Sequence, residues 1–443
     1  MLTLGTSSHR YCDGISRRSF LSIGSLAIGG LTLADLMRCE AARNEGLGHK
    51  AVIMVYLSGG ISHQDTVDLK PDAPKEVRGE FNPIETSVPG IQFGELLPNI
   101  AKVADRCAVI RSVVGQRDEH SSFQNLTGFR MNVVKREGYP NFGSVVSHVH
   151  GPTDPVTPPF IDMFPTMRHR PYNSSDAGYL GSAFNQIKAS GEDLASMKLR
   201  YISANQFGDR RRLLQHFDAL RRDNENQSIN GMDEIYSRAF DVLTSSRLVD
   251  ALDVEKEDPV LREKYGKGSS KHLGDGAPLW NDQLLVARRL VEAGVRVVTV
   301  AYGFWDTHGN NFGHLKKHLP TFDKGIAALI EDIYQRGLDK DVTVVVWDEF
   351  GRTPKINKNA GRDHWAPVNC AWLAGGGMNV GQVIGSTDKT AAYAATRPVN
   401  YRDILATVYH NLGIDPHAFV RDVSERPVPI LPSDARPIRE LIS

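Results

Sequence analysis

The chain has 443 residues, enough for two or three domains or for one large α/β fold. Hydrophobic residues make up 41% and charged residues 23%, which is ordinary for a globular protein and excludes a disordered or fibrous class. Lys+Arg and Asp+Glu both number 52, so no global field draws the chain to nucleic acid or to an anionic membrane, and no basic stripe with interleaved aromatics appears.

In chain order, the first signal is Ser-Arg-Arg-Ser-Phe-Leu-Ser at residues 16–22, a nearly complete twin-arginine pattern. An apolar run from Phe20 to Leu33 follows; its fourteen residues fall short of the ~20 that span a bilayer. A cationic start, a short apolar core and the small-residue exit at Ala41-Ala42 read as a cleaved export signal over residues 1–45. The expected partner is the twin-arginine export machinery, and the expected location is periplasmic or extracellular. Arg38 stands where a lipoprotein signal needs a small residue before Cys39, so no stable membrane anchor is expected. Residues 46–443 are then one α/β domain. Its two cysteines, Cys107 and Cys370, lie in apolar runs and are expected to be buried free thiols.

The run Ala51–Leu57, ending in Ser58-Gly59-Gly60, reads as a buried parallel strand. Three runs resemble it, at 295–302, 342–347 and 368–374. Asn281 is expected to cap a helix that stops at Gly294, and Phe322, Ile326, Leu329, Ile330 and Ile333 mark the apolar stripe of another. Strands alternating with helices predict a mainly parallel sheet covered on both faces. Residues 152–275 are more polar, with helices expected near 208–224 and 230–250, and read as an inserted helical cap. Arg210–Arg212 belong to the solvated face of one of these helices.

In such sheets ligands gather at the carboxyl ends of the strands. Asp306 and His308 follow one predicted strand, Asp348, Glu349 and Arg352 follow the next, and Arg362, Asp363 and His364 precede the last. His63, Asp65 and Asp68 follow the first strand. Each alone is compatible with a turn or a helix cap. Together, carboxylates and imidazoles on one edge suggest a mixed nitrogen and oxygen site for a divalent metal, zinc, manganese or iron before calcium. The glycines at 375–377 suggest a hairpin, since Val383-Ile384 stands where a phosphate loop would begin a helix. No GxSxG, HExxH or GxxxxGK[ST] motif is present.

Asp306-Thr-His308-Gly, then a helix, then Val-Thr-Val-Val-Val-Trp-Asp348-Glu349, then His364, is similar to the order of metal ligands in the alkaline-phosphatase and sulfatase superfamily. Leu97-Pro98-Asn99-Ile100 and Leu126-Thr127-Gly128 resemble two helices of those enzymes. The Gly-Gly-x-x-His-x-Asp-Thr-x-Asp run, RGEF at 78–81 and the ending at 436–441 resemble the exported bacterial family known as domain of unknown function 1501. The resemblance implies a three-layer αβα sandwich, one or two divalent ions, and hydrolysis of phosphate or sulfate esters outside the cytoplasm. It implies Asp306, His308 and His364 as ligands of one ion, with the second site rebuilt from Asp348 and from Glu349, Asp65 or Asp118, or lost.

The chain also departs from the pattern. Ser58 replaces the metal-binding Asp after the first strand, and no CxPxR motif occurs. Counting ten residues back from Gly128 reaches Asp118 where a Ser, Thr or Cys nucleophile is usual; a gap of two or three would present His120, Ser121 or Ser122. The expected catalytic groups are therefore Asp118, His120 as general acid, and Arg352 and Arg362 to grip an anionic ester. The alternative expectation is a non-catalytic exported binding or scaffold protein on the same fold.

Overall fold

The computed structural model describes residues 48–154, 156–189 and 246–442. The export-signal reading over 1–45 and the two helices expected near 208–224 and 230–250 lie outside the described residues, apart from the tail of the second at Ser246–Ala251.

Nine short apolar segments pair into one sheet. They are β1 (Ala51–Ser58), β2 (Cys107–Val114), β3 (Phe160–Asp162), β4 (Ile187–Lys188), β5 (Val297–Phe304), β6 (Val342–Asp348), β7 (Asn369–Gly375), β8 (Gln382–Ile384) and β9 (Val399–Asn400). The order across the sheet is β8-β2-β7-β6-β1-β5-β3-β4, with β9 also on β2. β1 lies between β6 and β5, parallel to both, with Ala51 opposite Val342 and Val52 opposite Val297. All eight residues of β1 are buried, as a strand with neighbours on both edges and layers on both faces requires.

Helices cover each face. On one side Val52, Met54 and Tyr56 join a core with α2 (Phe142–His150) and α5 (Tyr401–Asn411). The opposite-facing Ile53, Val55 and Leu57 are equally buried. There α3 (Asn281–Glu292) and α4 (Asn311–Gln335) lie on the sheet, and Phe322 of α4 meets Trp372 of β7 at 6.1 Å between ring centroids. The architecture is the three-layer αβα sandwich expected. Phe322, Ile326, Leu329, Ile330 and Ile333 are all buried. The first turn of the short helix Pro98–Lys102 is held by Asp323 of α4, which accepts from the backbone N–H groups of Asn99 and Ile100. Cys107 and Cys370 are buried free thiols, and burial pushes Cys107 up to about 12.

Four details differ from the sequence reading. β7 runs antiparallel to both β6 and β2, whereas the other strands run together. The glycines after β7 do not form a hairpin: β7 and β8 flank β2 on opposite sides. Asn281 is the first residue inside α3 and not its cap; its amide instead donates to the carbonyls of Tyr265 and Thr321. Part of the segment set apart as a cap belongs to the sheet, since β3 pairs with β5 and β4 with β3.

Candidate metal centre

The reversal of β7 builds the site. A strand parallel to the others would place the residues before it at their amino ends. Running the other way, β7 puts His364, five residues ahead of it, at the carboxyl edge where Asp306 and His308 leave β5. A two-strand ribbon, Gly351–Arg352 paired with His364–Trp365, sets Arg352 opposite His364. Two glycines allow the loops to meet. A side chain at Gly361 would strike the His308 carbonyl carbon at 2.1 Å, and one at Gly59, with φ of +98°, would strike the Asp306 nitrogen at 2.5 Å. From the opposite flank, the loop after β2 delivers Asp118 and His120, and α1 (Phe123–Thr127) ends at Gly128 in the left-handed conformation.

His120, Asp306, His308 and His364 each offer a ligand atom, and these atoms lie within 4.8 Å of one another. Asp306 Oδ1 is the hub: His308 Nε2 and His364 Nε2 each lie 3.1 Å from it and 2.9 Å from each other. His120 Nε2 lies 3.6 Å from Asp306 Oδ2. His308 is half exposed, so the centre opens to solvent. Arg352, wholly buried, donates from Nη2 to Asp306 Oδ1 at 2.6 Å. Burial favours the protonated acid of Asp306, but His364, when its Nε2 is protonated, and the buried Arg352 guanidinium outweigh it and hold the carboxyl well below the usual range. Burial likewise opposes charge on His120, and Glu349 and Asp306 overcome it, raising the imidazole above its ordinary value.

The hydrogen bonds around the ring test whether these residues suit a cation. His308 Nδ1 faces Asp363 Oδ1 at 2.7 Å, and His364 Nδ1 faces Asp118 Oδ1 at 2.6 Å. Ionised carboxylates only accept, so each Nδ1 carries a proton, and each ring in its neutral form presents a lone pair at Nε2. Two lone pairs and the Asp306 oxygen thus converge on one point. That arrangement repels itself unless positive charge sits among the three, and two imidazoles with a carboxylate match a zinc-like ion. The donor set fits a divalent metal.

The other expected residues are placed elsewhere. Asp65 is buried and its oxygens are occupied: Oδ2 accepts from Arg362 Nε at 2.7 Å, Ser62 Oγ at 2.6 Å and Asn311 Nδ2 at 2.8 Å, and Oδ1 from Arg362 Nη2 at 3.0 Å. Arg362 is fully buried, reaching the carbonyls of Thr353, Pro354 and Val77 as well. Asp348 is buried, accepting from Ile61 N–H and Asn369 Nδ2; burial, then the neighbouring Glu349, push its carboxyl up. Arg352 donates to the carbonyls of Gly60, Arg362 and Gly59 besides Asp306, so it positions that carboxylate and leaves no fork for a ligand. Among the described residues, no serine or threonine hydroxyl hydrogen-bonds any of the four clustered side chains. Ser122 Oγ donates to Asn173 O, and Ser121 Oγ is buried without a partner.

Two contributors were given no role by the sequence reading. Asp363 was visible, being adjacent to His364 in the same run. Tyr172, whose hydroxyl contacts His120 Nδ1, had no local signal, because it lies in the segment read as a cap.

A family model described as Protein of unknown function (DUF1501) matches residues 49–442. The chain belongs to the DUF1501 family. No curated protein matches this family member in sequence. Among solved structures it is similar to PsFucS1 sulfatase from Pseudoalteromonas sp., at 14% identity over 86% of this chain and 70% of that one, with a TM-score of 0.36. Ps i-CgsB overlaps at 10% identity over 83% and 72%, with a TM-score of 0.38. A structure from work on glycosaminoglycan metabolism by Bacteroides thetaiotaomicron overlaps at 12% identity over 83% and 73%, also with 0.38. Those overlaps carry no activity to this DUF1501 protein, whose fold stands on its own strand order. Among the described residues, no helix is long and apolar enough to cross a membrane.

Proposed function

We propose that this DUF1501 protein is a metal-dependent hydrolase of sulfate or phosphate esters acting outside the cytoplasm. The observation that carries the reading is the convergence of two lone-pair imidazole nitrogens and the Asp306 carboxylate, each histidine oriented by its own carboxylate. Asp306, His308 and His364 would hold a divalent ion, zinc or manganese. When bound, that ion supplies Lewis acidity toward an ester oxygen. Three protein ligands leave room for a substrate atom, and the exposure of His308 gives it a path.

The chain's own residues divide the remaining work. Arg352 holds Asp306 ionised and in place. Asp118 and Asp363 orient the two ring ligands. Since Arg352 and Arg362 are buried and engaged, the anionic ester has to be met by the ion and by His120. The arginine pair Arg17-Arg18 supports export by the twin-arginine route.

Among the described residues no serine or threonine hydroxyl meets the cluster, which favours a second reading, an exported binding or scaffold protein that keeps the fold without turnover. One experiment separates the two. The purified protein is analysed for divalent metals and then assayed against aryl sulfates and aryl phosphates, before and after chelation. Metal with chelator-sensitive turnover supports the hydrolase; metal without turnover on either ester class supports the scaffold. A chain that takes up no divalent metal, even on reconstitution, rejects the hydrolase and leaves the scaffold.

A further inference from the structure

Three imidazoles meet at the centre, but their outer nitrogens face different chemistry. Behind His308 and His364 stand carboxylates, which can only accept. Behind His120 stands the hydroxyl of Tyr172. That phenol is 1% exposed, and its only hydrogen-bond partner among the described residues is His120 Nδ1. A buried hydroxyl requires an acceptor for its proton, and Nδ1 is the one within reach. Glu349 Oε1 lies 3.8 Å from the same nitrogen, beyond hydrogen-bonding distance, and accepts instead from Gly59 N–H at 2.8 Å.

If Tyr172 donates to Nδ1, the neutral His120 ring carries its proton on Nε2, the nitrogen turned toward Asp306 Oδ2, and a doubly protonated ring carries one there too. A nitrogen bearing a proton has no lone pair to give a cation. Four residues gathered in space thus sort by tautomer into three ligands and one N–H donor. The ring is fixed in that pose: His169 Nε2 contacts the His120 carbonyl at 3.0 Å, and Phe350 and His364 pack edge-on at 5.2 and 4.4 Å between centroids.

We propose that Tyr172 is a positioning residue that keeps the His120 proton on Nε2, so that His120 hydrogen-bonds an oxygen of the bound ester and does not ligate the ion. The role toward an ester rests on the hydrolase reading above; the tautomer and the exclusion from the ligand set do not. The donor faces a centre where Arg352 is engaged with Asp306 and Arg362 is committed to Asp65, so neither guanidinium is free for the ester.

The test uses the full-length protein with selectively ¹⁵N-labelled histidine, together with metal analysis. Ring nitrogen spectra should show His120, identified by the signal lost in His120→Gln, with its proton on Nε2. In Tyr172→Phe, with unchanged thermal melting, that signal should move toward the Nδ1–H pattern as Glu349 becomes the nearest acceptor. Metal content should stay within about twofold of the parent in His120→Gln, while His364→Ala should fall by more than the ~10–100-fold that loss of an outer partner produces. A His120 ring protonated on Nδ1 in the parent overturns the proposal. So does loss of metal in His120→Gln to the level of His364→Ala. A tautomer that stays unchanged in Tyr172→Phe removes Tyr172 from it. None of these readouts needs turnover, so a protein that hydrolyses no ester fails the function reading alone.

Discussion

The carboxyl edge of the sheet holds two groups of acids that the sequence makes look alike and the structure makes opposite. Around Asp306 the site is half open, and two imidazole nitrogens end in unshared electron pairs. Around Asp65 and Asp348 it is closed, and the carboxylate oxygens meet arginine, amide or hydroxyl donors. Residue type does not separate a ligand from a structural acid here. The inventory of partners does. Asp65, with both oxygens filled by Arg362, gains little from a cation, whereas Asp306, held by Arg352 through one oxygen and placed between two imidazole nitrogens, gains a great deal.

This contrast can be broken most forcefully at its closed half. Arg362→Ala leaves Asp65 buried without its counter-ion, and breaking such a pair costs about 3–5 kcal/mol. The expected outcome is a large drop in the denaturant midpoint, with the metal content of the remaining folded fraction unchanged. Metal loss exceeding the loss of folded protein would show that the two halves are one site.

At the open half the expected effect is smaller. Asp118→Asn keeps the shape but replaces the charged acceptor of His364 Nδ1–H by a neutral amide, and changes to such outer partners weaken metal affinity ~10–100-fold. Competition with a metal indicator dye checks this, and stability of the metal-free protein should barely change. An unaltered affinity would mean that His364 chooses its tautomer without Asp118.

A carboxylate far from the edge gives the smallest effect and calibrates the other two. Glu257 binds Arg288 and Arg289 beside α3. Burial opposes its charge, but the two guanidiniums prevail and hold it at about 2. Its folded value is below the ~4.3 of an unfolded glutamate, so its contribution is complete above that pH and is lost as pH falls toward about 2. Glu257→Gln should flatten the dependence of stability on pH in that window and leave metal binding alone. Denaturant melts from pH 5 to 2 measure it; a slope equal to the parent's would remove Glu257 from the acid response.

Much of the fold was legible because it depends on local chemistry. The runs that became β1, β5, β6 and β7 were found by continuous apolar character, and α4 by its stripe. Strand direction was not legible, since a run buried on both faces reads the same in either sense. β3 escaped notice because three residues carry no period. Asp306, His308 and His364 could be seen by their motifs. The fates of Asp65 and Arg362 could not: their bond closes across 297 positions, and nothing near either residue announces the other. Tyr172 is tied to His120 over 52 positions in the same silent way.

The place of β1 in the sheet has a consequence for assembly. Asp306 and His308 follow β5, His364 follows β6, and those two strands touch only through β1. Anything requiring all three side chains therefore waits until the first strand of the domain has threaded between partners made much later in synthesis. Such distant pairing is slow because the intervening chain must be closed before any contact rewards it. If the centre takes its ion, uptake by a refolding chain becomes a clock for one event, the moment when β1 locks between β5 and β6.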